Sequence, residues 1–113
     1  PSILEGCQSA GLPLLPGAAS VSEMMALAEQ GYSVQKFFPA TAAGGISFIK
    51  SLYSPLPALT FCPTGGITEK TAPDWLALPN IACVGGSWIA PQALIESGNF
   101  AKITKRARVA AHL

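Results

Sequence analysis

Charged side chains are scarce in this chain, and histidine is almost absent from it. Only 12% of the 113 residues are charged, the formal net charge is +1, and the single histidine is His112. A balanced charge gives no electrostatic reason to expect nucleic acid as a partner. One histidine offers little to a metal site or to a cysteine–histidine nucleophile, so we expect neither.

Paired cysteines and long apolar runs are missing too. Cys7, Cys62 and Cys83 are far apart and form no Cys-x-x-Cys pair, which predicts reduced, mostly buried thiols in a cytosolic protein. No apolar run approaches the ~18 residues that a membrane span needs, and the first residues lack a basic segment followed by an apolar core. We therefore expect neither a membrane partner nor a signal peptide. Half of the residues are hydrophobic, which favours a single compact domain.

The sequence does contain a repeated strand–helix pattern. Four short apolar runs begin at residues 12, 34, 58 and 81, roughly every 23 residues, and each ends at proline or glycine. A helical pattern follows each run, and residues 2–10 predict another helix at the start. Ser20 with Glu23 indicates a capping box, while Thr68 and Asn99 are predicted N-caps and Gly31 a C-terminal stop. The predicted strands are Leu12–Leu15, Val34–Phe38, Ala58–Cys62 and Ile81–Val84.

The alternation of strands and helices predicts an α/β fold with parallel strands joined by crossover helices. Because the runs are apolar at nearly every position, we expect both faces of the sheet to be buried. A four-stranded open sheet and half of a (β/α)₈ barrel both fit, since a whole barrel takes about 200–250 residues. The opening helix, with no strand before it, suggests a missing upstream part. The last helix is expected to have a solvated basic side, made by Lys102, Lys105, Arg106 and Arg108.

Lys36 is the one lysine predicted to lie inside a strand. Side chains alternate along Val34–Phe38, so Val34, Lys36 and Phe38 share a face, which would be the interior of a barrel. Burial among apolar neighbours disfavours the charged form of a lysine, and a neutral amine can attack a ketone to form an imine. From strand position alone, the favoured interpretation is a lysine that reaches solvent or pairs with a carboxylate.

Two predicted strands end in glycine pairs, within Thr64–Ile67 and Gly85–Trp88, and each pair precedes a predicted helix. Glycine lets backbone N–H groups approach an anion closely, and a helix N-terminus adds a favourable dipole. In (β/α)₈ barrels the loops after the last two strands often bind phosphate. Tight strand-to-helix turns are the alternative explanation. No dinucleotide-binding or Walker A pattern is present.

Five segments of the chain match a known pattern: Lys36–Ala40, Phe61–Ile67 and Gly85–Trp88, with Leu15–Gly17 and Val21–Glu23 before them. Taken together, these segments resemble the later strands of the 2-keto-3-deoxy-6-phosphogluconate (KDPG) aldolase family. The order and spacing of the segments fit that family over nearly the whole chain. The resemblance implies a (β/α)₈ TIM barrel, of which residues 1–113 would supply roughly the last four βα units, the C-terminal half of one barrel domain.

The same resemblance implies a class I aldolase that cleaves KDPG reversibly to pyruvate and glyceraldehyde 3-phosphate in the Entner–Doudoroff pathway. The enzyme would be cytoplasmic and usually trimeric, without a metal or organic cofactor. Lys36 would form the Schiff base, and Thr64 and Phe38 would lie near the pyruvate-derived part of the substrate. The implied phosphate-binding residues are Gly65, Gly66, Gly86 and Ser87, and Pro16 and Gly17 would line the same mouth.

The chain also departs from the family pattern. It lacks the first four strands, and with them the glutamate that acts as general acid/base and the arginine that meets the substrate carboxylate. Thr41 stands where relatives often carry an acidic residue. Two alternatives stay open: a phosphate-binding half-barrel without catalysis, and a related Schiff-base aldolase with another aldehyde partner.

Overall fold

The computed structural model describes residues 2–113, in which helices alternate with short parallel strands. The three strands form one sheet in the order β1-β2-β3. The elements are α1 (Ser2–Ser9), β1 (Gly17–Ala18), α2 (Val21–Glu29), β2 (Val34–Phe37), α3 (Gly45–Ser51), β3 (Thr60–Pro63), α4 (Ala72–Leu76), α5 (Gln92–Glu96) and α6 (Phe100–Ala110).

The first strand lies later in the chain than predicted. Pairing with β2 begins at the carbonyl of Pro16, which accepts from the amide of Lys36 at 2.8 Å, and β1 covers only Gly17–Ala18. The prediction of a strand at Leu12–Leu15 was wrong. Because proline has no N–H group, Pro13 and Pro16 cannot donate to a ladder, and the apolar run precedes the strand instead of forming it.

The fourth predicted strand contacts the sheet but forms only two isolated bridges, Phe61 with Ile81 and Thr64 with Gly85. Pro63 has no N–H to continue the ladder, and its carbonyl accepts from Gly85 at 3.0 Å. The partner segment therefore holds one extra residue between its two bridges, as at a bulge. Ile81–Val84 is adjacent to β3 as expected, but it is not a regular strand.

The helix ends confirm most of the predicted caps. Ser20 accepts from the amide of Glu23 at 3.3 Å, as in a capping box, and the Glu23 carboxylate reaches back to accept from the Ser20 hydroxyl at 2.8 Å and from the Ala19 amide at 3.2 Å. Asn99 accepts from the amide of Lys102 at 3.3 Å at the start of α6. Thr68 does not cap α4, however, because it closes a separate turn with Thr71, and the helix begins after Thr71.

The core lies between one face of the sheet and helices α2, α3 and α4. Phe37 is fully buried there and its ring stacks on Phe48 at 5.6 Å between centroids. Burying each such aromatic side chain contributes about 1.5–3 kcal/mol. The expectation that both faces of β2 are buried was wrong: Val34 is 46% exposed and Phe38 is 54% exposed on the opposite face. In residues 2–113 the helices cover only one side of this strand.

Two buried amides tie the sheet to its helices. Gln35 in β2 is fully buried and donates from Nε2 to the carbonyls of Met24 at 3.0 Å and Tyr32 at 2.9 Å. Asn80 donates from Nδ2 to the carbonyl of Ile49 at 2.9 Å. These bonds fix the position of β2, and of the segment after α4, relative to the helices. The position of β2 in turn fixes the position of Lys36.

Replacing Gln35 with methionine should destabilise the protein by about 1–3 kcal/mol, because the carbonyls of Met24 and Tyr32 would both lose this donor, a loss larger than the gain from removing the unpartnered Oε1 of Gln35. The free energy of unfolding in urea measures this change. Gln8→Met, on the exposed surface of α1, is the matched control and should change it by less than about 0.5 kcal/mol. Equal effects of the two substitutions would contradict the assigned role of Gln35.

Candidate functional site

The candidate residues gather where the parallel strands end. The amide of Thr64 donates to the carbonyl of Phe37 at 2.9 Å, and that of Phe38 donates to Ala18 at 3.2 Å. The residue after β3 is thereby brought beside the end of β2, and the end of β2 beside β1. The carboxyl edge of a parallel sheet is the usual position of a binding site in α/β proteins.

A cleft of about 550 Å³ opens between the ends of β2, β3 and the Gly85–Ser87 segment. Gly65 and Gly66 both have positive φ, +100° and +76°, so the chain turns sharply after Thr64 and exposes its backbone to the cleft. A side chain on Gly66 would also have its Cβ only 2.6 Å from Oγ1 of Thr41. The cleft is lined by Phe38, Thr64, Gly65, Gly66, Ile67, Thr68, Gly85, Gly86 and Ser87.

Backbone donors in this cleft are free. In residues 2–113, no acceptor takes the N–H groups of Gly66, Gly86 or Ser87. The glycine pairs were predicted to precede helices, and they do, but α4 begins only at Ala72 and α5 at Gln92, several residues further along the chain. The backbone donors available to an anion in this cleft are therefore the loop amides of Gly66, Gly86 and Ser87, and not a helix dipole.

Thr64 supplies a side-chain donor at the floor of the same cleft. Its Oγ1 is buried, yet it has no hydrogen-bond partner within residues 2–113. An unpartnered buried hydroxyl lowers the stability of the folded protein by about 1–3 kcal/mol, so its presence in a native fold calls for an explanation such as a functional role. The residue lines the cleft while Oγ1 itself is buried, so the hydroxyl would have to turn towards the cleft to meet a ligand there.

Lys36 lines a second cleft, of about 460 Å³, on the other side of Phe38. Its Nζ lies 5.3 Å from the centroid of the Phe38 ring, a distance at which the ring face attracts a cation. Lys36 is half-buried, on the open face of β2, in agreement with the interpretation favoured from strand position alone. Phe38 borders both clefts, so its ring separates the lysine from the glycine loops.

Glu23 is the one carboxylate that borders the Lys36 cleft in the described chain. Hydrogen bonds from the Ser20 hydroxyl and the Ala19 amide lower the pKa of this carboxyl, which keeps it ionised. The carboxylate is held by its capping role at α2, so it is poorly suited to donate a proton. The sequence indicated the cap but not that Glu23 borders this cleft.

Cys62 lies beside Lys36 because the two residues are partners in the parallel register of β2 and β3. Burial raises the pKa of the Cys62 thiol to about 11, and a hydrogen bond to Cys83 acts in the same direction. The thiol therefore stays protonated and uncharged near neutral pH, so it is neither a nucleophile nor an anionic partner for the lysine. Cys62 is buried as expected, whereas Cys83 is exposed.

The structure separates the predicted site residues into two groups. Thr64, Gly65, Gly66, Gly86 and Ser87 share the larger cleft, whereas Lys36 and Gly17 share the smaller one, and Phe38 belongs to both. Pro16 lines neither of them. It is buried, its carbonyl accepts from the Lys36 amide, and it borders a third, apolar cleft below β1.

Within residues 2–113, no group of three or more histidine, cysteine, aspartate or glutamate side chains is placed to hold a metal ion. None of the helices in that range is both long enough and apolar enough to span a bilayer.

Comparison with known proteins gives consistent matches. The profile of a family described as KDPG and KHG aldolase matches residues 1–106. The chain is 44% identical over 108 residues to the 2-dehydro-3-deoxy-phosphogluconate aldolase of Pseudoalteromonas atlantica, covering 96% of this chain and 50% of the relative. It is 41% identical over 108 residues to the KHG/KDPG aldolase of Escherichia coli, covering 96% and 51%. The chain thus spans about half the length of the curated relatives it matches.

Solved structures give the same picture. A KDPG aldolase from Legionella pneumophila, with pyruvate captured at low pH as a covalent carbinolamine intermediate, has a TM-score of 0.85 and 49% identity, covering 88% of this chain and 48% of that one. The KDPG aldolase of Zymomonas mobilis with 3-phosphoglycerate has a TM-score of 0.83 and 42% identity, covering 92% and 48%. These similarities extend over nearly all of the described fold.

Replacing Thr64 with valine should leave the stability of the ligand-free protein unchanged or raise it by about 1–2 kcal/mol, because the change removes an unpartnered buried hydroxyl of nearly the same shape. Urea denaturation measures this. Thr71→Val is the matched control and should destabilise, since the Thr71 hydroxyl accepts from the amide of Thr68 at 2.9 Å. A loss of stability in Thr64→Val as large as that control would mean that the hydroxyl has an internal partner.

Proposed function

Because the chain belongs to the KDPG and KHG aldolase family, we propose that it carries the Schiff-base lysine and the phosphate site of a class I aldolase. The proposed reaction is reversible cleavage of KDPG to pyruvate and glyceraldehyde 3-phosphate. The observation that carries the proposal is the arrangement at the carboxyl ends of the strands. There, Phe38 separates a cleft containing Lys36 from one containing free backbone donors and the Thr64 hydroxyl.

The chain is proposed to be the C-terminal half of one (β/α)₈ barrel, with residues 1–113 supplying roughly its last four βα units. The relatives it matches are about twice as long. The open face of β2 supports this proposal, since Val34 and Phe38 are half exposed there although both are apolar. In a closed barrel this face would turn inward, where side chains from the remaining strands would cover it and exclude water from Lys36.

In the proposed reaction, the neutral Nζ of Lys36 attacks the keto carbon of KDPG, and the carbinolamine takes up a proton and loses water to give a protonated imine. A base then removes the proton of the hydroxyl that becomes the aldehyde, the carbon–carbon bond breaks and the imine accepts its electron pair, which releases glyceraldehyde 3-phosphate and leaves an enamine. Protonation of the enamine carbon and hydrolysis of the imine release pyruvate and regenerate the amine. The Phe38 ring, 5.3 Å from Nζ, would favour the cationic imine.

Proton transfer in this scheme needs a group from outside the chain. Glu23 borders the lysine cleft, but its carboxylate is ionised and held by Ser20 and Ala19. We propose that the upstream half of the barrel supplies the general acid/base and the arginine for the substrate carboxylate. Thr64 would then contact the pyruvate-derived part, while Gly65, Gly66, Gly86 and Ser87 would hold the phosphate.

The solved relatives support both halves of this site. Pyruvate is captured covalently in the Legionella pneumophila enzyme, which supports a carbinolamine at Lys36. 3-Phosphoglycerate is present with the Zymomonas mobilis enzyme, which supports binding of a phosphorylated three-carbon acid by the glycine loops. No metal or organic cofactor enters the proposed chemistry. From the family resemblance we further propose a cytoplasmic homotrimer, which sedimentation of the natural protein would test.

A second candidate is a phosphate-binding half-barrel without catalysis. The free N–H groups of Gly66, Gly86 and Ser87 favour it, since they need no contribution from Lys36 to hold an anion. A third candidate keeps the lysine chemistry with another aldehyde partner, as the name KHG/KDPG aldolase of the Escherichia coli relative indicates. Covalent trapping separates the second candidate from the other two, and product analysis with each keto acid separates the first from the third.

In the natural full-length protein, pyruvate followed by borohydride should leave one reduced adduct, on Lys36, located by peptide mass spectrometry. Lys36→Met should abolish the adduct and lower turnover of KDPG by at least about 10³-fold, because no other amine of residues 2–113 lines the cleft. Lys50→Met, which removes an exposed lysine from α3, is the matched control and should retain both the adduct on Lys36 and the turnover of KDPG.

Absence of any adduct in the full-length protein, under conditions in which it is folded, would overturn the aldolase proposal. Retained phosphate binding in that case would favour the half-barrel that only binds phosphate. An adduct at a lysine other than Lys36 would keep the reaction class but reject this assignment of the nucleophile.

A further inference from the structure

Arg106 makes a contact that its position on the terminal helix does not suggest. Its Nη1 donates to the carbonyl oxygen of Trp88 at 2.6 Å, which links α6 to the segment after the second glycine pair. No backbone donor within residues 2–113 reaches that carbonyl. Arg106 was expected to lie on a solvated basic face, which was wrong: its side chain is half-buried against the loop.

Trp88 links Arg106 to the second glycine pair. A Cβ on Gly86 would collide with ring atoms Cζ3 and Cε3 of Trp88, so the indole lies directly on the backbone of Gly86. The indole also packs against the buried core cluster. Trp88 is therefore held at two points, by Arg106 at its carbonyl and by the core at its ring.

We propose that Arg106 is a positioning residue for the phosphate cradle, which is the group of free N–H donors of Gly66, Gly86 and Ser87. Arg106 would act on it through Trp88. It would hold the Gly85–Trp88 turn so that the free N–H groups of Gly86 and Ser87 face the cleft. Arg106 does not line that cleft, so it acts without touching the anion. The phosphate identity of the anion rests on the proposed function, whereas the hold on the turn does not.

The physical reason is preorganisation of the loop. Backbone amides bind an anion well only if they already converge, since otherwise binding must also order the loop. Glycine-rich segments have the largest conformational freedom to lose. In this turn the Gly85 amide is held by the Pro63 carbonyl, but Gly86 has no side chain to fix its own position, so a further anchor has to come from a neighbour. Arg106 and Trp88 together provide that anchor.

The first test uses the natural protein without ligand, labelled with 5-fluorotryptophan and observed by ¹⁹F NMR. In Arg106→Leu the Trp88 signal should shift or broaden, while the signal of Trp75, buried at 3% exposure in the core, should stay in place as an internal reference. Arg108→Leu is the matched control, since Arg108 is exposed on the same helix, and it should alter neither signal.

The second test measures the dissociation constant for inorganic phosphate. Arg106→Leu should weaken phosphate binding about tenfold, the size expected when a charge-assisted hydrogen bond that orders the loop is lost. Arg106→Lys keeps a donor and should bind within about threefold of the parent. Arg108→Leu should bind as the parent does. Trapping of pyruvate at Lys36 should be unchanged in all three variants, because that step needs no phosphate donor.

An unchanged Trp88 signal in Arg106→Leu would overturn the inference, as would phosphate binding that is unaffected by this substitution. Equal weakening in Arg108→Leu would also overturn it, since it would point to helix charge in general. Failure of the parent to bind phosphate would reject the cradle, and with it this role of Arg106. Failure of the parent to trap pyruvate, with phosphate binding intact, would reject the proposed function alone.

Discussion

The parallel pairing of β2 with β3 determines the positions of Lys36, Phe38 and Thr64 relative to one another. In this register Lys36 lies opposite Cys62 and Phe37 opposite Pro63, so Thr64 is the first residue beyond the pairing. Thr64 leaves the ladder beside Phe38, where its amide still bonds to Phe37. A shift of one residue would turn Lys36 into the helix-covered core and bring Phe37 onto the open face. The register is held by the burial of Phe37 and Phe61 and by the amide of Gln35.

The same pairing explains why helices cover one face of the sheet and leave the other face open. Helices α2, α3 and α4 cover the face that carries Phe37, and the packing there is dense. The face of Val34, Lys36 and Phe38 has no such cover in residues 2–113, although two of these three side chains are apolar. An amine on this face is partly hydrated, and imine chemistry benefits when water is excluded. The open face of Val34, Lys36 and Phe38 is therefore where the proposed upstream half would complete both the fold and the site.

Much of this arrangement could be predicted from the sequence because its signals are local. The capping box of Ser20 and Glu23, the cap at Asn99 and the strand containing Lys36 were all correctly located. Errors arose where pairing partners decide the outcome. The leucines near residues 12–15 look like a strand by composition, but the ladder with β2 starts only at Pro16. Pro63 interrupts the last pairing because it has no N–H group, which no property of Ile81–Val84 could indicate.

The candidate site was predictable to a similar extent. The glycine pairs, Thr64 and Lys36 stand out by residue type, but the separation of the lysine from the loops by the Phe38 ring is a tertiary feature. The same is true of Arg106, whose helical position alone suggests a solvated charge and whose partner is eighteen residues away in the chain. The periodicity of apolar residues shows which face of a helix is apolar. It does not show which polar side chain donates a hydrogen bond to a distant carbonyl.

The central claim is that Lys36 and Thr64 act on one ligand across the Phe38 ring. A crystal structure of the natural full-length protein soaked with pyruvate tests it most directly. The account predicts continuous density from Nζ of Lys36 to the keto carbon of the ligand, with a ligand oxygen within hydrogen-bond distance of Thr64 Oγ1. Density for unreacted pyruvate remote from Lys36, with the Thr64 hydroxyl still unpartnered, would contradict it.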